Sequence, residues 1–469
     1  MKLTRKWNMP WEMVQAIVAL AWPTMMEELM QTAVQYIDTA MVGSLGTQAT
    51  AAVGATTTVN WLIGSTISAV GVGFLAYVSR ACGAGDTKRA GKAASQAVLA
   101  VLFCGILFTA LTLGLSDLVP VWMRVDPSIQ DIAARYFFVL YTPMLARTAI
   151  IIFGTILRAA GDTKTPMAVG IIVNVINVIL NFLLIYPTRT VLGFSVWGAG
   201  LGVVGAAAAS AAAFAVGGIL ITVALWRHPA VSPRGYSILP DWDVLKPCLK
   251  VALPNGLQRF GTSLGYVAFA TMINSLGDVA TAAHTIANTV ESAFYIPGYG
   301  MQTAAATLAG NALGAKDNRR VRDLARMIIF MEVTLMVVSG SLLFAFAPDM
   351  MRIFSADPEV IRLGSVVLRM VAVSEPFYGV TIVIEGMMHG MGKTVLPFIF
   401  GISGMWGIRI VGTFLCTQLL GMGLISAWAC MIVHNLLLFT MFVICYRTGK
   451  WNPMHRQSGK TRENISDFL

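Results

Sequence analysis

Residues 13–41 read MVQAIVALAWPTMMEELMQTAVQYIDTAM, an apolar stretch of helix length that carries an internal proline and a carboxylate near its end. On a helix that advances about 100° per residue, five of its polar side chains fall within a strip roughly 80° wide. They are Thr24, Glu27, Gln31, Gln35 and Asp38. An ionised side chain is costly at membrane depth, so this strip predicts contact with water, a partner or a transported ion.

The whole chain is apolar. Of its 469 residues 56% are hydrophobic and only 12% are charged, and the mean hydropathy is +0.71. This composition predicts an integral membrane protein, and the lack of strand-like alternation predicts an all-α fold. Twelve segments reach the roughly 20 residues that cross the hydrocarbon core. They are 13–41, 51–78, 94–116, 132–157, 165–187, 200–226, 248–276, 280–312, 325–347, 364–388, 395–420 and 424–446.

Charge placement predicts the orientation. Most of the 33 Lys and Arg lie in alternate connections, on the side that also holds both termini, so we expect cytoplasmic termini in a cell (plasma) membrane. The basic, aromatic start at 1–11 predicts an interfacial lead and no cleavable signal peptide. The net charge of +10 is spread over short connections, so no nucleic-acid partner is expected. The six cysteines form no Cys-x-x-Cys pair, so they predict neither disulfides nor a metal site.

The sequence repeats itself. A shift of 231 positions aligns Pro23 with Pro254 and Gly161 with Gly392, among other landmarks. Two halves with six helices each enter the membrane in the same direction, which predicts two six-helix bundles related by a pseudo-two-fold axis along the membrane normal. The predicted parts are an N-terminal lobe (1–226), a cytoplasmic linker (227–247), a C-terminal lobe (248–446) and a cytoplasmic tail (447–469). About ten extra residues near 188–197 interrupt the register and are predicted to form a loop.

Several motifs in both halves resemble those of the multidrug and toxic compound extrusion (MATE) transporters. They are Pro23, Asp38-Thr39-Ala40-Met41-Val42-Gly43-Ser44-Leu45-Gly46, Gly83-Ala84-Gly85-Asp86, Leu157-Arg158-Ala159-Ala160-Gly161-Asp162-Thr163-Lys164, Gly310-Asn311-Ala312-Leu313-Gly314-Ala315 and Met388-His389-Gly390-Met391-Gly392-Lys393-Thr394. The resemblance covers nearly the whole chain. It implies a two-lobed antiporter without a cofactor, which expels cationic, often aromatic compounds while Na⁺ or H⁺ flows inward.

The resemblance also implies a cation-coupling site. Asn177 falls on a cation-site asparagine, Asn181 on a position often held by aspartate, and Ser210 on a sixth-helix threonine. Asp38 is then the only carboxylate of the inferred pocket, and Na⁺ is expected to use oxygens of Asp38, Asn177 and Asn181. An asparagine ladder that only packs helices is the alternative.

Further polar residues are predicted to line a central substrate cavity. They are Glu27, Gln31, Gln35, Asn174, Arg259, Asn288, Glu291, Tyr295, Glu375 and Glu385. Arg259 is the expected partner of Glu375 or Glu291, and ion pairs that only fix packing are the alternative. Pro23 and Pro254 each remove a backbone hydrogen bond, so we expect them to act as hinges, with a purely structural kink as the alternative.

A carboxylate that holds either a proton or a cation, but not both, couples export to ion entry. The chain is therefore predicted to be a monomeric secondary antiporter that works by alternating access, with small organic cations and membrane lipid as its partners. A lipid-linked oligosaccharide flippase of related fold is the alternative, and a strongly cationic cavity would favour it. A channel or a receptor is a further class, which conductance or a lack of counterflow would reveal. No nucleotide-binding or zinc-protease motif occurs, so no enzyme is predicted.

Overall fold

The computed structural model describes residues 10–123, 125–191 and 194–454. Its α-helices are α1 (Pro10–Gly43), α2 (Thr47–Gly83), α3 (Thr87–Gly114), α4 (Leu118–Trp122), α5 (Gln130–Tyr141), α6 (Met144–Ala159), α7 (Lys164–Ile185), α8 (Gly202–Arg227), α9 (Trp242–Asn274), α10 (Asp278–Gly314), α11 (Asn318–Phe354), α12 (Pro358–Gly390), α13 (Val395–Gly404), α14 (Val411–Phe414) and α15 (Leu424–Arg447). The predicted interfacial lead and the predicted tail lie largely outside the described ranges.

Helices cover all twelve predicted segments. In the described ranges, eight helices are long and apolar enough to cross a membrane, and α5 with α6, bent by 50°, makes a ninth. The helices α1, α9 and α10 are as long as these but fall outside that group. Each carries polar residues that an isolated span would not tolerate in lipid. The chain is therefore a multi-pass helical membrane protein, and twelve crossings remain a prediction.

The insertion near 188–197 is not the irregular loop that the sequence predicts. Strands β1 (Pro187–Val191) and β2 (Phe194–Ala199) pair antiparallel in a short hairpin. The register shifts between Pro187 and Arg189, which marks an irregularity at the start of β1. β-branched and aromatic residues such as Val196 and Trp197 favour extended backbone, and a short insertion can satisfy its own peptide groups by pairing with itself.

The chain forms two compact units that do not coincide with halves of the sequence. Unit 1 consists of 1–25, 75–86 and 248–469, and unit 2 consists of 26–74 and 87–247. The first part of α1 and the last part of α2 thus belong to unit 1. The lobe boundaries drawn from the repeat remain a prediction.

The core of unit 1 packs α10, α11, α12 and α15 together, with the start of α1 against α10. Glycines let these helices approach closely. A Cβ added at Gly390 of α12 would collide with the Ala306 carbonyl of α10, and one at Gly310 would collide with Ser79 of α2. Small residues at such crossings are typical of helix packing in membranes.

The thirteenth helix continues through two π-helical segments, Met405–Ile410 and Leu415–Leu419, which flank α14. A π-helical turn widens the backbone and is frequent at functional sites. The first segment carries Arg409, whose side chain is buried. Its guanidinium lies 4.8 Å from the ring centroid of Tyr266 and 4.2 Å from that of Phe269. The π-helical segment therefore places a positive charge inside unit 1 over two aromatic faces.

In unit 2, α6, α7 and α8 pack around small residues. A Cβ at Gly218 of α8 would collide with Ala146 of α6. The connection that follows α8 is fastened to α3. The Gln96 amide donates to the Leu239 carbonyl (2.9 Å) and accepts from the Asp241 backbone amide (2.9 Å), and Ser95 Oγ donates to the Ser237 carbonyl (2.9 Å). Lys92 pairs with Asp241, and its hydrogen bond holds the pKa of that carboxyl below the ordinary value.

Candidate functional site

A polar cluster in unit 2 joins three helices at Asp38. Asn181 Nδ2 of α7 donates to Asp38 Oδ1 of α1 at 2.6 Å, and it also donates to Asn177 Oδ1 at 3.0 Å. The Asn177 amide is 2.9 Å from Ser210 Oγ of α8. Asn177 and Asn181 are buried, whereas Asp38 is half-buried. The structure thus brings together all four residues of the predicted cation-coupling site.

The nitrogen and oxygen of the Asn177 amide are nearly identical in shape, and the two ways of placing them satisfy different neighbours. In one, its nitrogen faces Ser210 and its oxygen accepts from Asn181. In the other, its nitrogen lies 2.9 and 3.2 Å from the two Asp38 oxygens, and its oxygen accepts from Ser210 at 2.9 Å. An ionised carboxylate only accepts, so the second orientation suits charged Asp38. The first orientation places an oxygen beside Asp38 and suits its protonated form.

Glu27, which is predicted to line the cavity, forms an ion pair. Arg158 Nη1 donates to Glu27 Oε2 at 2.8 Å, and both side chains are largely buried. Arg158 lies in the last turn of α6, which the sequence assigns to a connection between spans. The pair joins α1 to α6 and fits the structural alternative. Other predicted cavity residues on α1 and α7 differ in exposure, because Gln31 and Gln35 are exposed and Asn174 is half-buried.

Unit 1 holds the remaining predicted acids. Glu291 of α10 and Glu375 of α12 are both buried and interact electrostatically with each other. The positive charge that acts on Glu291 is Arg409, not Arg259 as the sequence suggests. In the internal repeat, Arg259 stands at the position of Glu28. Arg409 lies in the π-helical segment Met405–Ile410 that follows α13.

Arg259 acts on a different acid. Its charge acts on Glu385, whose Oε1 accepts from Gln258 Nε2 at 2.7 Å. Nearby aromatic rings meet edge to face. Tyr295 lies 5.8 Å from Tyr299 and 6.0 Å from Tyr378 between ring centroids. Asn288, also predicted to line the cavity, is exposed on α10. Unit 1 therefore contains a polar and aromatic group apart from the Asp38 cluster.

Glu332 of α11 is an acid that the sequence analysis missed. Its relative exposure is 0%, and neither carboxylate oxygen has a hydrogen-bond partner among the described residues. Its neighbours along α11 are apolar, so no polar stripe marks it. The signal that identifies it is simpler: a single carboxylate near the middle of a 37-residue apolar helix.

Pro23 and Pro254, the predicted hinges, lie within helices. Pro23 is buried in α1, which continues through it without a break. The first segment of unit 1 ends at Met25, two residues beyond this proline. Pro254 is half-buried in α9, inside unit 1. The positions are compatible with hinges, and the hinge role remains a prediction.

Comparison with known proteins identifies the fold and the family. The MatE family profile matches residues 23–183 and 254–415. The probable multidrug resistance protein NorM of Thermotoga maritima is 28% identical over 458 residues, which cover 97% of this chain and 96% of that protein. The probable multidrug resistance protein YpnP of Bacillus subtilis is 24% identical, covering 94% and 96%. A solved structure described as the outward-facing conformation of a multidrug resistance MATE family transporter matches with a TM-score of 0.87 at 22% identity, covering 97% of this chain and 98% of that chain.

The matched ranges include the repeat landmarks at Pro23 and Pro254 and the Asp38, Asn177 and Asn181 positions. The family resemblance read from the sequence motifs is confirmed. The chain belongs to the MATE family and is a membrane transporter, not an enzyme.

Proposed function

We propose that this protein is a secondary antiporter that exports organic, mainly cationic compounds by alternating access, driven by H⁺ or Na⁺ entry at Asp38. The observation that carries the proposal is the contact of Asn181 Nδ2 with Asp38 Oδ1 at 2.6 Å. A carboxylate held by amides inside an apolar bundle has two stable partners, a proton or a cation. Export and ion entry are coupled because these two occupants exclude each other.

The Asn177 amide supports a response of this site to its occupant. A proton on Asp38 favours the orientation that presents the amide oxygen to it, and loss of the proton favours the orientation that presents the nitrogen. With the oxygen presented, the site also offers Na⁺ two kinds of hard donor, a carboxylate and an amide oxygen. In this proposal the bond to Ser210 reverses with the occupant of Asp38, because the Asn177 amide donates to Ser210 in one state and accepts from it in the other.

The exported compounds are proposed from chemistry and from the relatives. Two relatives carry the name of probable multidrug resistance proteins. In this chain the acids and the Tyr295, Tyr299 and Tyr378 rings provide negative charge and aromatic faces, which attract organic cations. We propose that the protein works as a monomer in the cell membrane with cytoplasmic termini, that its lobes rock around a central cavity, and that Pro23 and Pro254 serve as hinges.

The test is counterflow in reconstituted vesicles, with a pH gradient and a Na⁺ gradient imposed separately on a fluorescent organic cation. Asp38→Asn should reduce gradient-driven efflux to the level of empty vesicles while the protein still inserts. Asp131→Asn makes the same chemical change at an exposed carboxylate and should transport normally. Undiminished coupled efflux in Asp38→Asn would remove Asp38 from the mechanism.

The two gradients identify the coupling ion, because only the gradient of the ion that binds Asp38 should drive efflux. The flippase alternative has no supporting observation in this structure. The acids of unit 2 favour cations over a polyphosphate cargo, since Asp38 is held by neutral amides and not by basic side chains.

A further inference from the structure

Glu332 lies in a pocket whose walls are built from two flanking helices. A Cβ at Gly298 of α10 would lie 2.7 Å from Glu332 Oε1, and one at Gly379 of α12 would lie 3.0 Å from the same atom. Met336, one turn along α11, fills the space beside both glycines. The carboxyl group fits between three helices only because two wall residues lack side chains.

The pocket offers the carboxyl group no compensation for a negative charge. Both oxygens are without a hydrogen-bond partner in the described part of the chain, and no Lys, Arg or His there pairs with them. Titratable groups on the flanking helices include Glu375 of α12, whose charge interacts with that of Glu332. They also include Glu291 of α10, on which the charge of Arg409 acts. A second acid beside the first makes ionisation of Glu332 less favourable still.

We propose that Glu332 is a proton-binding site of unit 1, separate from the Asp38 cluster and occupied by a proton while α10, α11 and α12 stay packed around it. A metal ion does not suit this pocket. In the described ranges no group of three or more His, Cys, Asp or Glu is placed to hold one. The walls are formed by glycines and by the thioether of Met336, which do not provide the several oxygen ligands that a hard metal ion requires. A proton needs only the carboxylate oxygen to which it binds.

Proton release from this site must loosen the packing around it. An ionised carboxylate needs water or a cation, and the closed pocket supplies neither. Deprotonation is thereby tied to separation of α11 from α10 and α12, and reprotonation to their closure. Glu332 then couples pH to the conformation of unit 1 even if Asp38 carries no coupling ion.

The test is infrared difference spectroscopy on the full-length protein in lipid, titrated from acid to alkaline pH. The wild type should show the C=O stretch of a protonated carboxyl that persists through neutral pH and exchanges slowly with deuterium. Glu332→Gln should lose the share of that band contributed by one carboxyl group. Glu359→Gln, the same change at an exposed glutamate, should keep it. Identical spectra for the wild type and Glu332→Gln would overturn the proposal.

Hydrogen–deuterium exchange provides a second readout. After correction for intrinsic exchange, α11 should exchange faster at alkaline pH in the wild type, and this pH dependence should vanish in Glu332→Gln. If the Gln variant does not fold, Glu332→Met serves instead, because it also removes the proton site. An equal pH dependence in the wild type and the variant would contradict the coupling of proton release to helix separation.

The variant Asp38→Asn separates this inference from the proposed transport mechanism. It should keep both the Glu332 band and the pH dependence of α11. Failure of the transport proposal thus leaves the Glu332 result unchanged, and the reverse also holds.

Discussion

The two units differ in how they hold the acids inside their helices. In unit 2, Glu27 is paired with Arg158, and Asp38 accepts from Asn181. In unit 1, Glu385 accepts from Gln258, but Glu332 and one oxygen of Glu375 have no hydrogen-bond partner in the described residues. The buried guanidinium of Arg409 lies over aromatic rings, and no salt bridge joins it to a carboxylate in the described part of unit 1.

The difference shows two routes by which a membrane protein tolerates acids. A partnered acid stays charged or exchanges one occupant for another at modest cost, which suits an ion-coupling site. An isolated acid must be neutral, so it responds to pH only when its surroundings open. Variants that remove the partner of an acid in unit 2 should therefore be far more destabilising than variants that replace the isolated acid Glu332 in unit 1.

The largest expected effect is in the Glu27 pair. Arg158→Met leaves a largely buried carboxylate unpaired and should lower the free energy of unfolding by about 3–5 kcal/mol. Glu332→Gln replaces one neutral group with another and should change the free energy of unfolding by less than about 1 kcal/mol. Chemical denaturation in detergent micelles measures both.

A double variant and an exposed pair serve as controls. Glu27→Gln combined with Arg158→Met should recover most of the loss, because no charge is left unpaired. Arg135→Met breaks an exposed pair with Asp131 and should cost at most about 1 kcal/mol. If Arg158→Met proved as mild as Arg135→Met, the contrast between the units would be wrong for Glu27.

The second largest expected effect comes from filling the space beside Glu332, which tests how tightly unit 1 packs around this acid. Gly298→Ala would place a Cβ 2.6 Å from Met336 Cε and 2.7 Å from Glu332 Oε1, so we expect a loss of about 1–3 kcal/mol from overpacking. Gly407→Ala is the matched control in the same unit, since nothing lies within 4 Å of its added Cβ. Equal melting temperatures for the two variants would mean that the Glu332 pocket can accommodate an additional methyl group.

The smallest expected effect comes from adding a second acid to the Asp38 cluster. Asn181→Asp replaces the amide nitrogen that lies 2.6 Å from Asp38 Oδ1 with a carboxylate oxygen. An added negative ligand should tighten Na⁺ binding about tenfold, or about 1.4 kcal/mol. The rise of the melting temperature with Na⁺, with ionic strength held constant by replacing NaCl with KCl, measures this change in affinity.

Asn174→Asp is the control for this last prediction. It places a carboxylate on the same helix at a half-buried position, and among the described residues Asn174 makes no hydrogen bond to Asp38. A Na⁺ response that is the same in both variants would show that the Asp38 cluster gains nothing from a second acid.

The sequence predicts the helices well because membrane spans are set by length and apolarity, which are local properties. It also predicts which faces of α1 and α7 are polar, since the stripes that carry Asp38 and Asn181 follow helical spacing. The family resemblance rests on short motifs that the family profile confirms. The functional roles of these residues remain predictions.

Other features depend on contacts that no local pattern encodes. Arg158 looks like a connection residue until α6 extends to include it and brings it to Glu27. Arg409 moves inward because of a π-helical turn, and the hairpin at 187–199 forms by pairing within an insertion. The residues that adjoin Glu332 on α11 are mostly apolar, so its burial beside Gly298 and Gly379 is visible only in the structure.

The connection at 227–247 has a consequence for how this transporter can be cut or tagged. Three side chains of α3 bind the segment 237–241 of this connection, so it is not a flexible linker. They are Lys92, Ser95 and Gln96. If the chain were cleaved in this connection, the hydrogen bonds to α3 would still hold the cut segment against unit 2. An inserted reporter domain would have to break those hydrogen bonds. Split versions of the protein should therefore be divided here, and fluorescent domains should be placed elsewhere.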